Sequence, residues 1–401
     1  MASRADTLSQ PPVRAKPAEP SFLNRREVRQ ALYQIALVVA LVAFFYFIVT
    51  NAAENLRRQN IASGFDFLDR VSGFDVSQNL ISFSNTDSYG RAFIVGLLNT
   101  IVIAVIGIVL ATILGFIAGI ARLSKNWLIA RIAGLYVETV RNMPLLLLLL
   151  IIYFGVLKPL PGPRQSLNFA DSVFLNVRGL YMPRPEWLAG SGIFLASIAV
   201  ALIAAFVVAR WAHARQMRTG EQFPTGWTAL ALVVGLPALT FLATGRPLAF
   251  DYPKLQGFNF TGGMVVQPEF MALLIGLTIY TGSFIAEIVR AGIQGVPKGQ
   301  WEAARAIGLH GGQVLRLVII PQAARIIIPP LTSQYLNLTK NSSLAVAIGY
   351  PDLVNVGGTI LNQTGQAVEV ILMIMAVYLT LSLLTSAFMN WFNTRMALVE
   401  R

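Results

Sequence analysis

Between Pro297 and Pro321 the sequence reads PKGQWEAARAIGLHGGQVLRLVIIP. Apolar runs flank it on both sides, whereas this stretch carries Trp301, Glu302, Arg305, Arg316 and the paired Gly311 and Gly312. Pro297 stops the preceding run, Gln300 to Ile307 has room for two helical turns, and Gly308 is a natural C-terminal stop, because glycine adopts the left-handed conformation that ends a helix. Gln313 to Ile320 is expected to form a second short helix that closes before Pro321. In the first helix Trp301, Ala304 and Arg305 fall on one side, and Ala303 and Ala306 are small enough for another backbone to come close. Such a segment can be read as an interfacial helix resting on lipid headgroups. A lipid-resting helix, however, has no need of this particular sequence.

The rest of the chain says where the segment sits. Of 401 residues 55% are apolar and 12% charged, with a mean hydropathy of +0.62, so the charged surface of a soluble globule this size is missing. The composition is that of an integral membrane protein. A net charge of +12 raises nucleic acid as a partner, but the basic residues lie between apolar runs instead of along one face interleaved with aromatics. There is no cysteine, and the two histidines, His213 and His310, are far apart in sequence, so neither a disulfide framework nor a metal site is expected.

A spanning helix needs about 20 mostly apolar residues. Candidates lie at 31–50, 92–120, 134–157, 191–210, 227–244, 269–290, 325–348 and 367–390, which makes the fold class all-α and polytopic with about eight transmembrane helices. The first span follows a tail with Arg4, Arg14, Lys16, Arg25, Arg26 and Arg29 and is read as an uncleaved anchor. Placing that tail inside puts 19 of the 31 lysines and arginines in inside segments and 10 in outside loops, leaving Arg141 and Lys340 within spans. Both termini, and the 297–321 loop, are therefore expected on the cytoplasmic side.

Glu302-Ala303-Ala304, three residues, Gly308, nine residues and then Val318-Ile319-Ile320-Pro321 resembles the EAA motif of bacterial ABC-importer permeases, with Val318 and Ile320 as conservative departures. The resemblance implies a coupling helix docked in a groove of a cytoplasmic ATPase, with Trp301, Glu302, Ala303, Ala304, Arg305, Gly308 and Pro321 as its coupling residues. GLLNTIVIAVIG (96–107), YVETVRNMPLLLLLLIIYFG (136–155), AEIVRAGIQGVPKGQ (286–300) and LTKNSSLAVAIG (338–349) are similar to segments of the polar amino acid uptake permeases, most of all the general L-amino-acid and glutamate/glutamine types. That family implies a five-helix core, here the spans at 92–120, 134–157, 269–290, 325–348 and 367–390. It also implies a cytoplasmic ATPase dimer that binds ATP and Mg²⁺, a second and distinct homologous permease subunit, a periplasmic amino-acid-binding protein and an inner-membrane location. The chain then divides into a tail (1–30), an added span and outside loop (31–91), the first part of the core (92–157), an insertion with two spans (158–268) and the second part of the core (269–395), with the coupling loop at 291–324.

No G-x-x-x-x-G-K-[ST] occurs, so ATP hydrolysis and its cofactors are assigned to a separate subunit, and the histidines do not support a catalytic triad. No enzyme is expected. Ionisable groups inside spans cost roughly 2.5–3.5 kcal/mol each on insertion scales and therefore face a cavity or a partner. Glu138 and Arg141, three residues apart, are expected to pair with each other or to contact substrate. Pro144 is expected to kink their span. Glu287 and Arg290 are expected to form a structural salt bridge. Gln334, Asn337 and Asn341 form one stripe at helical spacing, joined by Lys340, Ser342 and Ser343, and line either a central path or the contact with a second permease. An alternative function is an ion-coupled secondary transporter using Glu138, Arg141 or Lys340; it leaves the 297–321 segment unexplained.

Overall fold

The computed structural model describes residues 26–58 and 64–396. The basic tail up to Arg25 and the last five residues, on which the placement of the termini rested, lie outside the described residues. The chain divides into two units, the first ending at Phe65. Its described part is one helix, α1 (Arg26–Arg58), which contains the anchor span and exposes apolar side chains around its whole circumference from Leu32 to Val49. A helix apolar on every side is built to lie in lipid.

The second unit runs from Asp66. Helix α2 (Tyr89–Ala121) begins at Ser88, whose hydroxyl accepts the Arg91 N–H, and α3 (Trp127–Arg141) begins at Asn126, which caps Leu128 and Ile129. The expected span at 134–157 is not one helix. It breaks between Arg141 and Leu145, and α4 (Leu145–Leu157) leaves at 109° to α3. Pro144 forces extended backbone on its own neighbourhood (φ −60°, ψ 133°) and disfavours helix at the residue before it, so a kink becomes a corner. Within the 158–268 insertion lie α5 (Ser191–Thr219) and α6 (Thr225–Ala243), and after them come α7 (Pro268–Gln294), α8 (Lys298–Ala306), α9 (Gly311–Ile348), α10 (Leu353–Thr364) and α11 (Ala367–Met396).

Helix α9 corrects a second expectation. No helix end occurs at Pro321: the segment from Gly311 continues through it into the span. Val314–Ile319 winds as a π turn, which moves the hydrogen-bond acceptors by one residue just where the proline lacks a donor and its ring would strike the carbonyl four back.

The core is laid around α2 and α7. Along α2, Val109, Ile113 and Ile117 point outward and are exposed, whereas Gly107, Ala111, Gly115 and Gly119 face inward. A Cβ on Gly115 would stand 2.4 Å from Ile285 Cγ2, and one on Gly119 would stand 2.6 Å from the Ala286 carbonyl oxygen. The small residues thus let the two backbones meet, the usual solution where lipid offers no hydrophobic drive. Leu149, Leu273, Leu277, Ile319 and Leu338 close this core. A second cluster, with Phe67, Val95, Leu353, Val356 and Ile360, fastens α10 against α2.

Residues 158–268 add more than two spans: they also carry eight short strands that the sequence reading did not anticipate. Strands β1 (Leu167–Phe169), β2 (Val173–Asn176), β3 (Gly179–Met182) and β8 (Met264–Val266) form an antiparallel sheet in that order. Two hairpin-like pairs stand beside it, β4 (Arg184–Trp187) with β5 (Leu248–Asp251) and β6 (Lys254–Gln256) with β7 (Asn259–Thr261). Phe260 is buried between Phe174 and Tyr181, at ring separations of 4.7 and 4.9 Å. Helices α5 and α6 lie along each other, joined near one end by a 2.7 Å bond between the hydroxyls of Ser197 and Thr240, and only isolated touches tie α5 to any other element. Trp187 pairs with Leu248, so the chain enters and leaves this helical pair at one place.

Candidate functional site

Helix α8 follows α7 after Gly295, Val296 and Pro297. Ala304 is buried and Trp301 half-buried against the core, whereas Glu302, Ala303, Arg305 and Ala306 are exposed. The side shared by Trp301 and Ala304 is therefore the inner one, and Arg305 stands outside it. The helix ends as its glycine requires: Gly308 takes φ +83°, its N–H reaches the Arg305 carbonyl at 2.9 Å, and the Leu309 N–H reaches the Ala304 carbonyl at 3.3 Å. Gln322 donates to Gln300 at 3.0 Å and ties α8 to α9. A few inward contacts thus hold the helix, and its charged face carries no partner from the described residues.

Glu138 and Arg141 do not pair with each other. Glu287 is the hub instead: it pairs with Arg122, accepts from Arg290 Nε at 3.2 Å and lies 3.7 Å from Arg141, whose guanidinium also covers Phe284 at 5.3 Å. Glu138 reaches Arg122 at 3.5 Å and is largely exposed. The expected Glu287–Arg290 bridge is present, within a cluster that joins α3 and α7 to the C-cap of α2. By sequence Arg122 reads only as an inside-loop charge.

On α9, Asn337 and Lys340 are exposed and Gln334 and Asn341 half-buried, and none of their side chains bonds to another described residue. Ser343 donates to the Lys340 carbonyl at 2.7 Å. Ser342 does not share this face. It is fully buried and donates to the Thr339 carbonyl at 2.7 Å, because two residues along a helix is more than half a turn. Among the described residues no hydrogen bond or ion pair joins Glu138 or Arg141 to the stripe.

The loop after α9 also holds more than its sequence announced. Asp352 caps α10 through the Asn355 N–H at 2.8 Å, and Thr100 accepts the Leu353 N–H at 3.0 Å. Burial pushes the Asp352 carboxyl up to about 6 against the pull of the Asn355 and Val354 N–H groups. Asn99 adds bonds to the Gln78 and Pro351 carbonyls at 2.8 and 2.9 Å.

Apolar outer faces, glycine-packed helices and a polar stripe with no partner among the described residues define an integral membrane transport subunit. The chain belongs to the family described as binding-protein-dependent transport system inner membrane component, whose pattern matches residues 218–398. It is 57% identical to the general L-amino acid transport system permease protein AapQ of Rhizobium johnstonii over 93% of both chains. It is 51% identical to the ABC transporter permease protein YhdX of Escherichia coli K12, over 95% of this chain and 97% of that one. Identity to the glutamate/glutamine/aspartate/asparagine transport system permease protein BztB of Rhodobacter capsulatus is 42%, over 93% of this chain and 95% of that one. This membership does not favour the ion-coupled alternative.

Proposed function

We propose that the chain is the membrane permease subunit of an ATP-driven importer of polar L-amino acids, and that α8 couples it to a separate ATPase. One observation carries the coupling: a helix fixed from inside by Ala304 and Trp301, aimed by Gly308, whose outward Glu302 and Arg305 have no partner among the described residues. The names of the relatives support amino acids as the cargo. In this reading the core is α2, α3 with α4, α7, α9 and α11, while α1 and the 158–268 segment are additions. The loop 291–324 and both termini face the cytoplasm, in the inner membrane. The partners are an ATPase dimer that binds ATP and Mg²⁺, a distinct homologous permease and a periplasmic binding protein. The stripe of Gln334, Asn337, Lys340 and Asn341 borders the path or the second permease.

Glu302→Lys tests the coupling. The side chain is exposed, so the protein should reach the membrane at its usual level, while reversal of the charge meant for a basic group of the ATPase should lower uptake by about a hundredfold or more and let the ATPase dissociate during purification. Normal uptake of labelled amino acids by this variant would end the coupling assignment. Lys340→Met tests the stripe, since a linear side chain of similar length keeps the space filled. Membrane level should hold while uptake falls by about tenfold, the worth of one desolvated charge contact. Wild-type uptake and stability would leave Lys340 a residue that snorkels to the surface.

A further inference from the structure

The start of α7 lies at the other end of that helix from α8, and a cavity of about 460 Å³ opens there against the small sheet of the insertion. Lys158, Arg178 and Glu269 supply its charges, and Ser77, Val177 and Gln267 border it. We infer that this cavity is a binding subsite for an acidic amino acid, in which Lys158 and Arg178 hold the two carboxylates and Glu269 the ammonium. The inference rests on the amino-acid import reading above and names a class of cargo and a place for it.

The side chains that line the cavity are held in position and keep unspent hydrogen-bonding capacity. Tyr153 donates to Glu269 Oε1 at 2.5 Å, and the Lys158 ammonium lies 4.0 Å from the same oxygen and 4.8 Å above the Tyr153 ring. Glu269 Oε2 keeps its acceptor capacity. Arg178 spends one N–H on the Phe258 carbonyl at 3.3 Å, and its turn is set by its backbone N–H to Asn176 Oδ1 at 2.8 Å. The rest of its guanidinium fork has no partner among the described residues. Gln267 and Ser77 lock each other, through Gln267 Nε2 to the Ser77 carbonyl at 2.7 Å and the Ser77 hydroxyl to Gln267 Oε1 at 3.2 Å. The rim is thereby fixed from the 66–88 segment as well.

Charge counting selects the ligand class. Two cations and one carboxylate leave the cavity with one positive charge in excess. An amino acid with an uncharged side chain presents one carboxylate and one ammonium, which leaves a cation unanswered. An acidic amino acid presents two carboxylates and one ammonium, one for each charge of the cavity, in charge-assisted hydrogen bonds. The volume falls in the range of small-molecule sites and admits a five-carbon diacid with water. Arg178 comes from the β2–β3 turn, so the subsite exists only because of the insertion. A simple structural ion pair between Lys158 and Glu269 would have no use for Arg178.

The test uses the absence of native cysteine. Val177→Cys is introduced into the full chain, assembled with its partners in membrane vesicles, and alkylated with a maleimide. Millimolar L-glutamate or L-aspartate should slow alkylation by about fivefold or more and L-glutamine by less than about twofold, and Arg178→Gln should remove the protection, as loss of about tenfold in affinity predicts. Ser77→Cys serves as a second reporter if the first variant fails to insert. Equal protection by glutamate and glutamine, or none, in vesicles that still import labelled glutamate overturns the subsite and leaves the import reading standing. Vesicles of the unaltered protein that import no amino acid overturn the import reading and the subsite with it.

Discussion

Glu287→Gln should destabilise the chain by about 3 kcal/mol, the lower end of what breaking a buried ion pair costs, because the carboxylate is about a quarter exposed. Glutamine keeps the shape and part of the hydrogen bonding but leaves Arg122, Arg141 and Arg290 gathered around a neutral group. Three guanidinium groups at the end of a span then repel one another, and among the described residues only the exposed carboxylate of Glu138, 3.5 Å from Arg122, is left to answer them. The loss should appear as a lower unfolding temperature in detergent and less protein in the membrane. Arg122→Gln should cost less, since Glu287 keeps two partners. Equal stability of the wild type and Glu287→Gln would show that the cluster is an ornament of the surface.

Gly119→Val should be more damaging still. Its Cβ would meet the Ala286 carbonyl oxygen at 2.6 Å and Val289 Cβ at 2.8 Å, and neither backbone nor Cβ can rotate away. Overpacking of this kind costs about 1–3 kcal/mol and occasionally more. Here relief requires α2 and α7, the central pair, to part. The variant should be degraded before it accumulates. Gly134→Ala, where nothing lies within 4 Å of the added carbon, is the matched control and should be silent. Normal accumulation of Gly119→Val would mean that the helices meet less closely.

What could be read from sequence was what is local or periodic. Hydropathy found the spans, Gly308 announced the end of α8, and Pro144 announced trouble in the third candidate span. The size of that trouble was hidden, because a proline fixes a lost donor but not the direction the chain takes afterwards. Pro321 misled in the opposite sense, since a π turn can absorb a proline and nothing in VLRLVI advertises one. The pairing of Glu138 with Arg141 followed from their spacing alone. It failed because Arg122, sixteen residues before Glu138, reaches the same place from the end of another helix. The strands of the insertion, only three or four residues each, are too short for an alternating pattern to stand out. On α9 helical spacing leaves Gln334, Asn337 and Asn341 at least partly exposed, whereas Ser342, grouped with them for its nearness in sequence, is buried.

The helical pair α5 and α6 leaves and rejoins the chain through β4 and β5, with the Leu188 N–H on the Pro247 carbonyl at 2.9 Å just beyond the last strand pair. Its ancestry can be considered apart from that of its host. A segment whose two ends are already bonded to each other can be acquired or discarded by a lineage without moving the residues on either side, and one that supplies its own neighbour asks for no compensating changes elsewhere. Its two helices should therefore accept any residue that lipid accepts, while the glycines of α2 and α7 are held to their size by each other's approach.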